Sequence, residues 1–145
     1  MEDIKPSTFE CADQIVTNIP IIVRGLWNRW QGDLPTKITW AQFGLLSLLS
    51  RETSTLTELS REWGVSKPSM SKMISILVER GWIERNPPEG DHRRKPLSLT
   101  PKGNEIQERT REVVRRNLAK SLAQLTGDQP QQITAALDML VQILT

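Results

Sequence analysis

The sequence is short of the residues on which most enzyme and metal sites depend. It holds one cysteine, one histidine and no tyrosine among 145 residues. A lone cysteine cannot close an internal disulfide, so a reducing compartment, and hence the cytoplasm, is expected. The scattered serines, the one histidine and the one cysteine supply neither a convincing catalytic triad nor the spacing of a metal site. We therefore expect no enzyme activity, no metal and no cofactor.

Long apolar runs are also missing. The longest nearly apolar stretches, at residues 19–23 and 43–49, are far too short to span a bilayer. Glu2 and Asp3 stand where a secretory signal would carry basic residues, so no signal peptide is expected. A composition of 37% apolar and 25% charged residues is ordinary for a globular protein. The sequence thus predicts a cytoplasmic protein with no membrane partner.

The formal net charge of +2 is distributed unevenly along the chain. Residues 66–95 hold seven Lys or Arg against four Asp or Glu, a balance of +3, while the other residues hold twelve against thirteen. This cationic window is the part of the chain that would attract a polyanion, because local clustering matters more than the total charge.

Apolar periodicity predicts a series of helices. The first runs from about residue 9 to 31, with a kink or break near Asn18 because Pro20 lies inside it. A second helix is expected from about 39 to 51. A third opens with a threonine cap at Thr57 and ends at Gly64. Near the end of the chain, a helix of about two dozen residues opens at Thr100, and a last amphipathic helix ends near Leu144.

The segment between these helices has clear start and stop signals. Ser66 is suited to cap a helix with Pro68 in its first turn, and Gly81 ends it. Its buried stripe is predicted to comprise Met70, Met73, Ile74, Leu77 and Val78. Short alternating runs at 82–85 and 96–99 predict a β-hairpin, whose second strand is expected to be short or at an edge because of Pro96.

Helix, tight turn and helix, joined at "EWGVSKP", are typical of a helix-turn-helix unit. In such a unit the second helix enters the DNA major groove. Its exposed face is predicted to carry only hydroxyls and cations, with no acid before Glu79. With the capping serine, the candidate DNA-binding residues here are Ser66, Lys67, Ser69, Ser71, Lys72 and Ser75. The alternative is an ordinary solvated surface.

The hairpin tip adds a second cationic element beside that helix. Its candidate DNA-binding residues are Asp91, His92, Arg93, Arg94 and Lys95. Cations at a tip can reach a phosphate or a narrow minor groove. Asp91 is placed to accept a charge-assisted hydrogen bond from Arg93 and so to set its direction. The alternative is a solvated loop with an incidental ion pair.

The stretch "LTELSREWGVSKPSMSKMISILVERGWIERNPPEGDHRRKPLSLTPKG", preceded by "ITWAQFGLLSLL", closely resembles the winged-helix core of the MarR family of bacterial transcriptional regulators. The resemblance covers residues 39–104. Its more specific parts are the "GVS" turn, "ERGWIER", the Asp-x-Arg at Asp91 and Arg93, and "SLTPKG". His92 departs from the pattern, because the family commonly has arginine there.

The resemblance implies a fold that is mainly α with a small antiparallel β wing, of the α+β class. It implies a winged helix-turn-helix core over 39–100, with the helices of 1–38 and 101–145 forming a dimer interface in one intertwined domain. The function it implies is sequence-specific binding of double-stranded DNA, as a homodimeric repressor on a pseudo-palindromic operator. Many family members release DNA when a small aromatic or lipophilic effector binds. Trp27, Trp30, Trp40 and Phe43 could line such a pocket, or could be plain core.

Two other functions stay open. Cys11 could make the protein a thiol-based redox-sensing regulator, but Glu10 and Asp13 flank it and disfavour the thiolate, so an inert thiol is the preferred interpretation. A winged helix can also serve as a protein-interaction module that does not bind DNA. The cationic window argues against that alternative.

Overall fold

The computed structural model describes residues 6–87 and 92–145 as six α-helices and one small sheet. The helices and strands in chain order are α1 (Pro6–Arg29), α2 (Trp40–Leu49), α3 (Leu56–Trp63), α4 (Lys67–Glu79), β1 (Ile83–Arg85), β2 (Leu97–Leu99), α5 (Pro101–Leu122) and α6 (Gln129–Leu144). The two strands pair antiparallel. The prediction of a mainly α protein with a small antiparallel β wing is confirmed.

Helix α1 is continuous through Pro20, so the predicted break near Asn18 is wrong. A proline inside a helix removes one backbone hydrogen bond and crowds the carbonyl four residues earlier. That carbonyl belongs to Val16, which is 73% exposed, and Pro20 is exposed too. Water can therefore solvate the carbonyl that loses its partner, and the helix continues.

Two threonines cap the next helices by the same reciprocal arrangement. Thr39 begins α2 and exchanges hydrogen bonds with Gln42, and Thr55 begins α3 and exchanges them with Glu58. The predicted cap at Thr57 is therefore wrong by two residues, because the glutamate that completes a capping box lies three residues after Thr55. Helix α3 ends as predicted at Gly64, whose φ of 63° is left-handed.

One apolar core packs helices α3 and α4 against the hairpin formed by β1 and β2. Its members come from α2, α3, α4 and the strands, together with Trp27 of α1 and the loop residues Ile38 and Trp82. The most deeply buried are Leu45, Leu46, Leu59, Met70, Ile74, Leu77 and Ile83. In the predicted stripe of α4, Met73 and Val78 are half-buried at the core's margin. Because the core is shared, neither the helix pair nor the hairpin can reorient without repacking it.

The hairpin is held on both sides of β2. Arg85 pairs with Leu97 in the β1–β2 register, and Leu97 exchanges two backbone hydrogen bonds with Ser54, at 3.2 and 2.7 Å, on its other side. Strand β2 begins after Pro96 and is three residues long, so the predicted short strand is confirmed. Ser54 comes just before α3, and this bridge therefore ties the hairpin to the start of that helix.

Helix α5 approaches the hairpin very closely. Thr100 donates its backbone N–H to the Trp82 carbonyl at 3.0 Å and caps α5 through Gly103. A Cβ built on Gly103 would lie 2.0 Å from the Trp82 carbonyl oxygen, a distance no side chain tolerates. The glycine of "SLTPKG" is therefore required by packing between α5 and the hairpin.

Helix α6 differs from the rest because none of its residues is buried. Its apolar side chains face outward, with Leu137 and Leu144 at 52% and 73% exposed. Together with α1 they line an apolar groove of about 490 Å³. Within the described ranges, no helix is long and apolar enough to cross a membrane.

Candidate nucleic-acid interface

A short turn joins α3 to α4, as in a helix-turn-helix unit. Gly64 reverses the chain, and the Val65 N–H donates to the Ser60 carbonyl at 3.1 Å. Ser66 then caps α4, with Pro68 in its first turn where the missing N–H costs little. The sequence thus builds the turn from local signals alone.

The outer face of α4, with its cap, carries five of the six DNA-binding residues that were predicted for this helix. Those that are exposed are Ser66, Lys67, Ser69, Lys72 and Ser75. Ser71 is half-buried, so its predicted place on the exposed face is wrong. It follows Met70 directly and lies one turn before Ile74, which puts it at the margin of the buried stripe.

The serine hydroxyls of this face have defined hydrogen bonds. Ser66 Oγ accepts from the Ser69 N–H at 3.2 Å and donates to Ser69 Oγ at 2.9 Å. Ser75 Oγ accepts from Arg85 Nη2 at 3.0 Å. Since Ser69 and Ser75 act as acceptors here, each keeps its own O–H to donate outward to a phosphate or a base. Ser66 is foremost the helix cap.

Arg85 is a functional candidate that the sequence analysis did not single out. It is exposed at the end of β1, and its guanidinium lies against Ser75 on the outer face of α4. The hairpin therefore reaches the same face of the molecule as α4. The available signal was weak, since Arg85 counted only as one charge in the cationic window.

The predicted tip is described only in part. Asp91 lies outside the described residues, as does the side chain of His92, so the expected pairing of Asp91 with Arg93 stays a prediction. His92–Arg94 form a short 3-10 turn, and the side chains of Arg93, Arg94 and Lys95 are exposed. Lys95 has a left-handed φ of 53°, which turns the chain back toward β2.

Arg94 makes an ion pair within the molecule. Its Nη2 donates to Glu58 Oε1 at 2.5 Å, although the two residues are 36 positions apart. The other carboxylate oxygen, Oε2, accepts from the Thr55 N–H at 3.0 Å and from Ser54 Oγ at 3.1 Å. The Thr55 N–H, the Arg94 guanidinium and the Ser54 hydroxyl hold the pKa of Glu58 below its ordinary value.

The four aromatic residues predicted to line an effector pocket are placed differently from one another. Trp27 stacks on Phe43 with ring centroids 5.5 Å apart and meets Trp40 edge-on at 5.4 Å. Trp30 is buried, but it has no ring contact with these three among those described. Three of the four residues therefore pack on each other.

A cavity of about 650 Å³ lies next to this aromatic cluster. Its lining residues are Gln31, Gly32, Leu34, Thr36, Lys37, Ile38, Thr39, Gln42 and Arg80. Trp27 Nε1 donates to the Ile38 carbonyl at 3.1 Å, which links the cluster to the cavity wall. None of the four predicted aromatic residues lines the cavity itself.

Arg80 gives the cavity a partly buried cation. Its guanidinium carbon lies 3.6 Å from the centroid of the Trp82 ring, and Nη2 donates to Thr36 Oγ1 at 3.2 Å. Burial lowers the pKa of Arg80 from its ordinary value. Lys37 also lines the cavity and no lining residue is acidic, so the site favours a neutral or anionic guest over a cation.

Elsewhere the described residues offer little chemistry. Cys11 is a free, exposed cysteine on α1. No cluster of histidine, cysteine or acidic residues that could hold a metal ion occurs in the part of the chain that the structure describes.

Comparisons with known proteins agree with this geometry. A family profile described as "MarR family" matches residues 36–94. The multiple antibiotic resistance protein MarR of Escherichia coli is 34% identical over 97 residues, covering 66% of this chain and 67% of that protein. An HTH-type transcriptional repressor of Mycobacterium tuberculosis is 29% identical over 107 residues, covering 73% and 77%. The crystal structure of oxidized Escherichia coli MarR superposes with a TM-score of 0.70, at 26% identity, over 97% of this chain and 96% of that one.

Proposed function

Because the chain belongs to the MarR family of transcriptional regulators, we propose that it is a sequence-specific double-stranded DNA-binding repressor of the cytoplasm. The observation that carries the proposal is the outer face of α4, where exposed lysines and serine hydroxyls lie beside the hairpin with no acidic residue before Glu79. Such a face suits the major groove, where hydroxyls bond bases or phosphates and lysines supply charge.

The hairpin serves as the wing in this proposal. Arg93 and Lys95 are exposed on it and would reach a phosphate or the minor groove. The hydrogen bond from Arg85 to Ser75 supports a wing that approaches DNA together with α4. A duplex could then touch helix and wing at once.

A second copy of the chain completes the proposed regulator. The outward apolar side chains of α6 and the groove they form with α1 suit a homodimer interface, because such a surface is costly to leave in water. Two copies related by a twofold axis place two α4 helices on a pseudo-palindromic operator.

The salt dependence of DNA binding tests the proposal. A duplex selected from a random-sequence pool by the wild-type protein should bind with an affinity that falls steeply as salt rises. Lys72→Ala and Arg93→Ala should each weaken binding and reduce the slope of log K against log salt by about 1 per protomer. Arg109→Ala is the matched control, because Arg109 is exposed on α5 and pairs with Glu105. Unchanged binding in both variants would refute the assignment.

The alternative of a protein-interaction module has a different signature. An apolar protein interface need not weaken with ionic strength, whereas phosphate contacts must. If the selection returns no duplex while the dimer stays intact, a protein-interaction module is favoured over a DNA-binding repressor.

We also propose that a small aromatic or lipophilic effector releases the DNA by binding in the cavity next to the aromatic cluster. The apolar walls at Leu34 and Ile38 would take a ring, and the cations of Lys37 and Arg80 would take a carboxylate. Benzoate is therefore a suitable probe. Titration with benzoate should change the tryptophan fluorescence of the wild-type protein and weaken its binding to the duplex. Both effects should be smaller in Arg80→Gln.

Thiol-based sensing through Cys11 remains the alternative regulation. The measurement is the alkylation rate of native Cys11 against that of a simple thiol. A rate well above the simple thiol would favour redox control over the effector, since reactivity follows the thiolate fraction.

A further inference from the structure

The wing is joined to α3 through a single carboxylate. Arg94 Nη2 donates to Glu58 Oε1 at 2.5 Å, while Glu58 Oε2 accepts from the Thr55 N–H and from Ser54 Oγ. The carboxylate is thus held by the start of α3 independently of the wing. Arg94 meets an acceptor that is already oriented.

The backbone closes the same connection from the other side. Ser54, whose hydroxyl donates to Glu58, exchanges two backbone hydrogen bonds with Leu97, only three residues after Arg94. The segment from Arg94 to Leu97 is therefore attached at both ends to the segment from Ser54 to Glu58. This attachment at two points restricts where the neighbouring Arg93 and Lys95 can reach.

The charge balance distinguishes Arg94 from Lys72 on the outer face of α4. Its guanidinium lies against a carboxylate, so the pair carries no net charge toward a polyanion. Because the carboxylate already offsets its charge, Arg94 would contribute less to counterion release on binding a phosphate than an unpaired cation would. Lys72, by contrast, forms no ion pair with another described residue.

We infer that Arg94 is a positioning residue, which sets the wing against the start of α3 through Glu58, and that it does not itself neutralise a DNA phosphate. The inference rests on the proposed function and deepens it. It replaces the sequence-based assignment of Arg94 as a direct DNA contact.

Substitutions can separate the two roles because Glu58 has two separable tasks. Glu58→Gln keeps the capping box, since glutamine can accept the Thr55 N–H, but removes the charge that holds Arg94. Arg94→Gln removes the other partner, and the double variant removes both. Lys95→Gln is the matched control, because it deletes a cation from the next position of the same wing.

On the duplex selected by the wild type, Glu58→Gln and Arg94→Gln should each weaken binding by about 2- to 5-fold per protomer, as expected of an exposed ion pair. The double variant should be no weaker than either single one, because both remove the same attachment. The salt slope should stay at the wild-type value in Glu58→Gln and Arg94→Gln and fall by about 1 per protomer in Lys95→Gln. A lowered slope in Arg94→Gln, with Glu58→Gln binding as well as the wild type or better, would overturn the inference.

Amide hydrogen exchange on the free protein tests the attachment without DNA. The Leu97 N–H, which donates to the Ser54 carbonyl, should exchange faster in Glu58→Gln and in Arg94→Gln but not in Lys95→Gln. Unchanged protection in the first two variants would also overturn the inference. Failure to select any duplex would instead refute the proposed function. The hydrogen-exchange measurement would then still decide whether Arg94 positions the wing.

Discussion

The winged core buries its apolar residues, whereas the terminal helix α6 leaves its apolar residues exposed. In the core, Leu45, Leu46 and Ile74 are completely buried within one protomer. In α6, Leu137 and Val141 are 52% and 59% exposed, although their spacing is just as regular. The same helical periodicity therefore produces a closed core, buried within one protomer, and an open stripe, which stays exposed on α6.

This difference indicates a division of labour. A closed core holds α4 and the wing in a fixed relation, which a DNA-reading surface requires. An open stripe is stable only against another surface, and the groove between α1 and α6 offers one for a second copy of the chain. Substitutions in the core should therefore act on stability, whereas substitutions in the stripe should act on assembly.

The largest effect is expected inside the core. Leu46→Ala should lower the free energy of unfolding by about 2–5 kcal/mol, because it removes a fully buried side chain and leaves a cavity. Chemical denaturation measures the loss. Leu46→Met, which keeps the volume, should cost less than about 1.5 kcal/mol. An equal loss in both variants would mean that packing at Leu46 is not what closes the core.

A substitution in the open stripe of α6 should weaken dimerisation. Leu137→Asp places a charge on the groove between α1 and α6, so the dimer dissociation constant should rise at least about 100-fold, at about 1.4 kcal/mol per factor of ten. Sedimentation measures the change, and far-ultraviolet circular dichroism should stay that of the wild type. Gln131→Asp adds the same charge to α6 away from this groove and should leave assembly intact. A Leu137→Asp protein that still dimerises would contradict the proposed interface.

The contact between α5 and the wing is tested by adding one methyl group. Gly103→Ala should destabilise the protein by about 1–3 kcal/mol, because the new Cβ meets the Trp82 carbonyl. Gly25→Ala is the control, since nothing lies within 4 Å of a Cβ there and alanine favours the α1 helix. Thermal unfolding should shift down in the first variant and not in the second. Equal shifts would disprove the close approach.

Acid provides the smallest effect. The pKa of Glu58 is lowered by the Thr55 N–H and Arg94, and that of Glu112 by Arg115 and Arg116. A carboxyl with a lowered folded-state pKa contributes stability that is present above its ordinary value of 4.5 and is lost as pH falls through the folded value. Glu58→Gln and Glu112→Gln should each flatten the loss of stability in that acidic window, which denaturation at several pH values would show. A loss as steep as in the wild type would contradict these contacts.

Local sequence signals predicted the helix-turn-helix and the hairpin well. The cap at Ser66, the first-turn Pro68 and the stops at Gly64 and Gly81 each act over a few residues, and the hairpin follows from two alternating runs. The cap of α3 was misplaced because Thr55 and Thr57 stand close together and only the reciprocal Glu58 distinguishes them.

Contacts between distant segments were beyond sequence reasoning. Nothing in the pattern of charges links Arg94 to Glu58, since their meeting depends on how the wing packs against α3. Likewise, the sequence does not show that Trp27 of α1 packs against Trp40 and Phe43 of α2, a contact that depends on how the two helices meet. Ser71 was predicted to be exposed but is half-buried, because it lies at the boundary of the buried stripe.

A hydroxyl-radical footprint of the wild-type protein on its selected duplex would test the account most directly. Two copies joined through α1 and α6, each with α4 in a major groove, should protect two symmetric half-sites about one helical turn, or about 10 base pairs, apart. Protection of a single half-site, or an even protection with no twofold symmetry, would contradict the account.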